Sequence, residues 1–214
     1  MLYRGAVPKP QGLLGDGARA RIKATIGEIE QLTSAEVVVA VHPASAAYRA
    51  TEWLAGVSFS AAWLLLFLYH PASFDFTFLP LELLGSAFVG ALLARTLRPL
   101  KRVLAGKRSR LFEVERASKA AFIDLGVSRT RSRSGLLVYV SILEREVRIV
   151  RDVGVPKLEV FAALPDRLAR TIQHGDTDSF VQALGELGPL LAEHLPRAHD
   201  DRNELSDEPA GEAA

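Results

Sequence analysis

The sequence predicts an α/β fold, a small sheet with helices on both faces, split by an inserted transmembrane helical hairpin. Three observations lead there. Two long apolar runs joined by a short loop occupy the middle of the chain, β-branched segments lie on both sides of them, and four amphipathic helical stretches flank those segments. A lone strand is not stable, so Glu36–His42 has to pair with the β-hairpin expected over 135–152. The apolar runs must then leave and re-enter one folding unit. A hairpin permits this because it returns both of its ends to the same side.

The first run, from Trp53 to Tyr69, has no charged side chain, and its only serines are Ser58 and Ser60. A soluble helix usually keeps a fuller polar stripe, and this run has roughly the length that crosses a ~30 Å hydrocarbon layer. The second run reaches Ala94 and carries one acid, Glu82, near its start. Pro80 suits a first helical residue, which puts Glu82 in the first turn, where the helix dipole favours an interfacial carboxylate. An intramembrane proton or ion site at Glu82 is the other reading. Ser58 and Ala62, with Ser86 and Gly90, would let two helices approach closely, within the hairpin or between protomers. The 70–78 loop has no Lys or Arg, whereas Arg95, Arg98, Lys101, Arg102, Lys107, Arg108 and Arg110 crowd the exit. By the positive-inside rule both chain ends are cytoplasmic.

In chain order, 1–15 is expected as a flexible arm. Asp16 caps a helix to about Leu32, with Ala18, Ile22, Ile26 and Ile29 on one face. Glu36–His42 is β-branched almost throughout, as in a strand covered on both faces. Pro99 kinks or ends the second membrane helix at its exit. A helix over 109–125 carries Leu111, Val114, Ala121, Phe122 and Leu125 as its stripe, closed by Gly126. The strands of the β-hairpin turn at Glu144-Arg145, the second having a wetter face. Helical pattern resumes over 156–164, continues beyond Pro165 and stops at Gly175. Asp176 or Thr177 caps a last helix, bent at Pro189, with Phe180, Leu184, Leu187 and Leu191 inward. The boundaries are therefore an arm (1–15), one discontinuous cytoplasmic domain (16–43 and 107–196), a transmembrane hairpin (50–104) and a disordered acidic tail (197–214).

Composition narrows the chemistry. A formal net charge of +1 gives no reason to expect nucleic acid as a partner. The absence of cysteine excludes disulfides and thiolate sites, and no apolar stretch near Met1 resembles a cleaved signal peptide. The five histidines lack metal-ligand spacing, so no metal site is expected. The glycines of Gly12-Leu13-Leu14-Gly15-Asp16-Gly17 have the wrong offsets for a dinucleotide loop. Asp152, at a strand end before Val153-Gly154, is the best single polar candidate, with Glu144 and Asp124 as weaker ones. An aspartate in that position also serves as a turn residue bonding nearby amides. Arg98, Lys101, Arg102, Lys107, Arg108, Arg129, Arg131 and Arg133 form basic stretches suited to acidic lipid headgroups, worth ~1 kcal/mol each near a membrane.

Laid out this way, the chain resembles the TPM-domain family. The resemblance rests on Thr33-Ser34-Ala35-Glu36-Val37-Val38-Val39, and on Thr130 to Ser141 with Glu144-Arg145-Glu146-Val147 and Asp152-Val153-Gly154-Val155. Gly175-Asp176, Gly188-Pro189-Leu190-Leu191 and Leu195-Pro196 add to it. The family takes in thylakoid-lumen proteins of photosystem repair and many bacterial membrane proteins. The resemblance implies a TPM-like α/β/α sandwich. For some members it implies metal-dependent phosphatase activity, and for others an accessory role in membrane complexes. The phosphatase-like members carry an acid or amide before the glycine that opens the second strand. This chain has Arg133-Ser134-Gly135 there, and three arginines repel a cation.

The expectation is a two-pass protein of the bacterial inner membrane with no cofactor. It would contact the bilayer and another membrane protein, or itself, as a non-catalytic interaction or maintenance factor. The first alternative is a membrane-tethered phosphatase using Asp152 with Glu144 or Asp124 and a divalent cation. The second is an ion-conducting oligomer built around Glu82.

Overall fold

The computed structural model describes Leu13 and residues 15–70, 76–198 and 203–211. The chain divides into two compact units, one of Met1–Ser45 with Leu111–Ala214, the other of Ala46–Arg110. In order, the elements are α1 (Asp16–Glu30), β1 (Glu36–His42), α2 (Arg49–Tyr69), α3 (Leu79–Thr96), α4 (Arg98–Leu104), α5 (Lys107–Asp124), β2 (Gly135–Ser141), β3 (Glu146–Arg151), α6 (Val160–His174), α7 (Thr177–Gly185) and α8 (Leu187–His194).

The first unit holds a three-stranded sheet in the order β1-β2-β3. β1 runs parallel to β2, with Glu36 opposite Gly135 and His42 opposite Ser141. β2 and β3 are antiparallel, with Leu136 opposite Arg151 and Ser141 opposite Glu146. Side chains alternate across the pleat, so each strand feeds two cores. Val37, Val39, Val41, Leu136, Val138 and Val140 meet Ile22, Ile26 and Ile29 of α1, and Leu168, Phe180, Leu184 and Leu191 of α6 to α8. On the opposite face, Val38, Ala40, Leu137 and Tyr139 pack with Val114, Ala121 and Phe122 of α5. This double coverage accounts for the unbroken apolar run in β1. Each fully buried Val or Leu contributes about 1.5–3 kcal/mol.

Several boundaries differ from the sequence reading. Gly15 is the α1 N-cap and makes no side-chain cap bond, which leaves Asp16 as the first helical residue. Residues 156–159 are not helical, and Pro165 falls inside α6 instead of starting a continuation. The last helix is two helices meeting at Glu186, with Pro189 near the start of α8. Asp176 caps α7, its Oδ1 accepting the Ser179 amide at 2.9 Å.

The largest correction concerns the two ends of the chain. Leu13, expected in a flexible arm, is buried in the main core. The acidic tail, expected to be unstructured, is ordered over 203–211 and lies along β1. The Ala210 amide donates to the Val39 carbonyl at 2.9 Å, and the Val41 amide donates to the Ala210 carbonyl at 2.7 Å. Low hydrophobicity suggested disorder, but backbone bonds to a strand edge do not depend on side-chain hydrophobicity. Residues 1–12, 14, 199–202 and 212–214 lie outside the described residues.

In the second unit α2 and α3 pack side by side. A Cβ on Gly56 would come within 2.8 Å of the Ala87 carbonyl oxygen, and one on Gly90 within 2.6 Å of the Phe59 Cβ. Ser60 donates to the Leu83 carbonyl at 2.6 Å, and its Oγ lies 3.3 Å from that of Ser86. Gly90 and Ser86 therefore serve contact within the hairpin, while Ser58 is exposed and Ala62 lines the open groove between the two helices. Arg49–Tyr69 and Phe76–Thr96 are each long and apolar enough to cross a membrane.

Candidate functional site

The polar candidates fall at the two ends of the sheet. At one end, the loop before β2 meets the turn after β3. The Asp152 amide donates to the Gly135 carbonyl at 2.9 Å, and the Gly154 amide to the Arg133 carbonyl at 2.9 Å. This draws the 130–134 loop and the 152–155 turn together. Arg133 takes the left-handed backbone (φ 56) that such a tight turn imposes. A Cβ on Gly154 would sit 2.6 Å from both the Ser132 and the Arg133 carbonyl oxygens, so only glycine fits there.

The Asp152 side chain is only 3% exposed. Its Oδ1 accepts the Val153 amide at 2.7 Å. Its Oδ2 lies 2.9 Å from the Arg133 Nε, a charge contact without the alignment of a hydrogen bond. The carboxylate thus ties the turn to the loop and neutralises one of the three loop arginines. Arg129 and Arg131 are exposed, and the Arg131 backbone amide donates to the Glu204 Oε2 at 2.9 Å. Asp124 is the last residue of α5 and is exposed.

At the other end of the sheet, Glu144 is fully buried in the β2–β3 turn. Its Oε1 accepts the Ser45 amide at 3.1 Å and its Oε2 accepts the Ser141 hydroxyl. Ser45 Oγ donates to Ser141 Oγ at 2.8 Å and lies 3.2 Å from the Tyr139 hydroxyl. Burial pushes the Tyr139 phenol up from its ordinary value; the contact with Ser45 opposes this and Glu144 adds to it. The His42 ring stacks on Tyr139, with centroids 5.1 Å apart. A buried carboxylate must be hydrogen-bonded, and this hydroxyl chain supplies Glu144 with donors where the parallel strands end. Sequence reading missed Ser45, Tyr139 and Ser141 as partners. The Ser-x-x-Glu spacing of Ser141 and Glu144 across the turn was the available signal.

Asp152 and Glu144 therefore cap opposite ends of one β-hairpin, roughly 20 Å apart at about 3.4 Å per residue. The structure does not bring them together, and among the described residues no group of three or more His, Asp or Glu could hold a metal ion. Of the basic residues, Lys107 and Arg108 are exposed at the start of α5, while Arg98, Lys101 and Arg102 lie on α4. In the second unit Trp63 Nε1 donates to Glu82 Oε2 at 3.2 Å. Phe59, Trp63, Leu66, Glu82, Ser86 and Val89 line a shallow groove along the two apolar helices.

Neither the known protein families nor the curated proteins include a match to this chain. Among solved structures, the chain is similar to the BA42 protein of the psychrophilic bacterium Bizionia argentinensis, determined by NMR. The TM-score is 0.54 over 99% of both chains, at 14% identity. A likeness at that identity is one of fold, an α/β arrangement of mostly helical content around a small sheet.

Proposed function

We propose that this chain is a two-pass inner-membrane protein whose α/β unit, TPM-like in kind, is a non-catalytic docking module for a membrane protein complex. The observation that carries the reading is the outward apolar surface of α2 and α3. Trp53, Leu84 and Phe88 are 76%, 71% and 68% exposed, on helices of membrane-spanning length. Contiguous apolar surface of this extent calls for lipid or protein cover. The run of Arg and Lys after α3, against none in the 70–78 loop, supports cytoplasmic ends. The non-catalytic part is supported by the employment of the candidate acids. Asp152 is held by Arg133 and the Val153 amide, Glu144 is enclosed by Ser45 and Ser141, and the two stand at opposite ends of the sheet.

Two measurements test the reading. After alkaline carbonate washing the chain should stay with the membrane pellet; release into the supernatant refutes the hairpin. Photocrosslinking from Arg131 in intact membranes should yield a discrete membrane-protein adduct. Hydrolysis of p-nitrophenyl phosphate by the purified full chain, lost in Asp152→Ala, would refute the non-catalytic role and establish the phosphatase alternative.

A further inference from the structure

We propose that the outer edge of β1 is a pairing site for a short acidic segment, ending in Ala-Gly, of a partner protein, and that residues 203–211 are its resident occupant. The proposal rests on the docking reading for the existence of a partner, and on the geometry of the tail for the surface.

The edge is prepared for a guest. Glu36 donates its amide inward to the Ser134 carbonyl, so Val37, Val39 and Val41 turn their backbone groups outward. An exposed edge of this kind invites another strand unless it is covered. At one position the cover is a side chain, Glu30 Oε1 accepting the Val37 amide at 3.1 Å. Further along, the cover is the tail, which forms a parallel bridge between Ala40 and Ala210.

The contacts around that bridge define the guest. Glu36 accepts the amides of Glu204 and Leu205 at 3.1 and 3.2 Å, a contact that reads backbone and not side chain. Leu205 and Ala210 pack against the cluster of Val38, Ala40 and Tyr139. From α1, Arg19 Nη2 donates to the Gly211 carbonyl at 2.7 Å, and Lys23 Nζ contacts Glu208 at 3.2 Å. Gly211 has φ 133, and a Cβ there would be driven into the Val41 carbonyl. The segment that fits bends at Leu205 and Glu208, with a leucine, then acids, then Ala-Gly at the single bridge.

The resident is held by polar bonds and by a small apolar contact with the second cluster, Pro209 being buried and Leu205 and Ala210 packed there. No residue of 203–211 enters the main core. Exposed pairs such as Lys23–Glu208 are worth about 0–1 kcal/mol. Seating the tail also brings Asp207 beside Glu30, whose carboxyl burial pushes up to about 8; the Val37 amide opposes this, and Glu36 and Asp207 add to it.

The test uses the full chain in detergent micelles, with a fluorescein-labelled peptide of the 203–211 sequence as the probe. Gly211→Val and, separately, Ala210→Pro release the tail. Each variant should bind the peptide at least about tenfold more tightly than the wild-type chain does. A peptide with valine in place of its glycine should bind neither variant. In the wild-type chain the Val41 amide should exchange hydrogen at least about a hundredfold faster than the β2 amides, as expected of local opening. Equal peptide binding by wild type and variants, no binding by either variant, or Val41 exchange as slow as that of β2 overturns the proposal. Photocrosslinking from Arg131 reports on the existence of a partner and not on this edge, so the two failures are distinguishable.

Discussion

Replacing Gly154 by alanine tests how the 130–134 loop and the 152–155 turn are joined. The added methyl would lie 2.6 Å from two backbone carbonyl oxygens, those of Ser132 and Arg133, and 2.9 Å from the Arg133 carbonyl carbon. Ordinary van der Waals contact of a Cβ begins at 3.4 Å, so the two chain segments must separate by several tenths of an ångström. The obstacle is backbone, which cannot rotate away as a side chain can. Moving it also stretches the bond from the Gly154 amide to the Arg133 carbonyl. Overpacking of this kind costs about 1–3 kcal/mol, and the backbone obstacle puts Gly154→Ala at roughly 2–3 kcal/mol. For a unit of this size each kcal/mol moves Tm by about 2–4 °C, so a fall of roughly 4–12 °C is expected. The assay is the thermal midpoint by far-ultraviolet circular dichroism in detergent. The two tryptophans, Trp53 and Trp63, both lie in the second unit, so their fluorescence melt is an internal control that should not move. Gly17→Ala supplies the opposite sign. Nothing lies within 4 Å of its Cβ position in α1, so the change should raise stability by up to about 1 kcal/mol. A shift below about 2 °C for Gly154→Ala would refute the reasoning.

Two further outcomes follow from other parts of the chain. Burial is the main cause that raises Glu30 from 4.5 to about 8; the Val37 amide opposes it, and Glu36 and Asp207 add to it. A carboxyl raised on folding binds more protons in the folded state, so stability falls as pH rises through that interval and levels off above it. Glu30→Gln should flatten the dependence of Tm on pH between about 5 and 8, and parallel curves for the two proteins would refute the assignment. In the second unit, Gly90→Val should part α2 from α3, because its Cβ meets Phe59 and the Ala55 carbonyl at 2.6 and 2.8 Å. The chain has no cysteine, so a Ser60→Cys, Ser86→Cys pair provides a clean reporter. It should form a disulfide under mild oxidation in the parent chain and lose it when Gly90→Val is added; undiminished crosslinking would refute tight packing at Gly90.

Legibility tracked how much of each signal is local. The β-branched run of β1 and the alternation of β3 exposed their elements directly, because burial on two faces or one leaves a mark in sequence. The pairing of β1 with β2 followed from the need of a lone strand for a partner. Helix ends were harder. Nothing in 156–159 distinguishes a helical turn from the non-helical lead-in to α6, and Pro165 is tolerated inside that helix despite its missing amide. The tail was illegible for a different reason. Its hold on β1 comes from backbone amides, a glycine and the Glu36 carboxylate, with apolar contact only from Leu205 and Ala210, too little to raise a periodic hydrophobic signal. At the candidate site the sequence singled out Asp152 and Glu144 but not their separation, which depends on which end of a strand pair each occupies. Ser45 was invisible as a partner of Glu144 because the contact joins residues far apart along the chain.

Because β1 and β2 are neighbours in the sheet while a whole compact unit intervenes between them, the first strand leaves the ribosome long before its complement exists. Contacts of such sequence separation form late. If the apolar helices enter a bilayer as proposed, late pairing would act as a check on topology. If the second helix failed to come back, His42 and Ser141 would end on opposite faces of the lipid and no sheet could close. On that proposal, burial of Val138 between the two cores would report that both apolar helices had threaded.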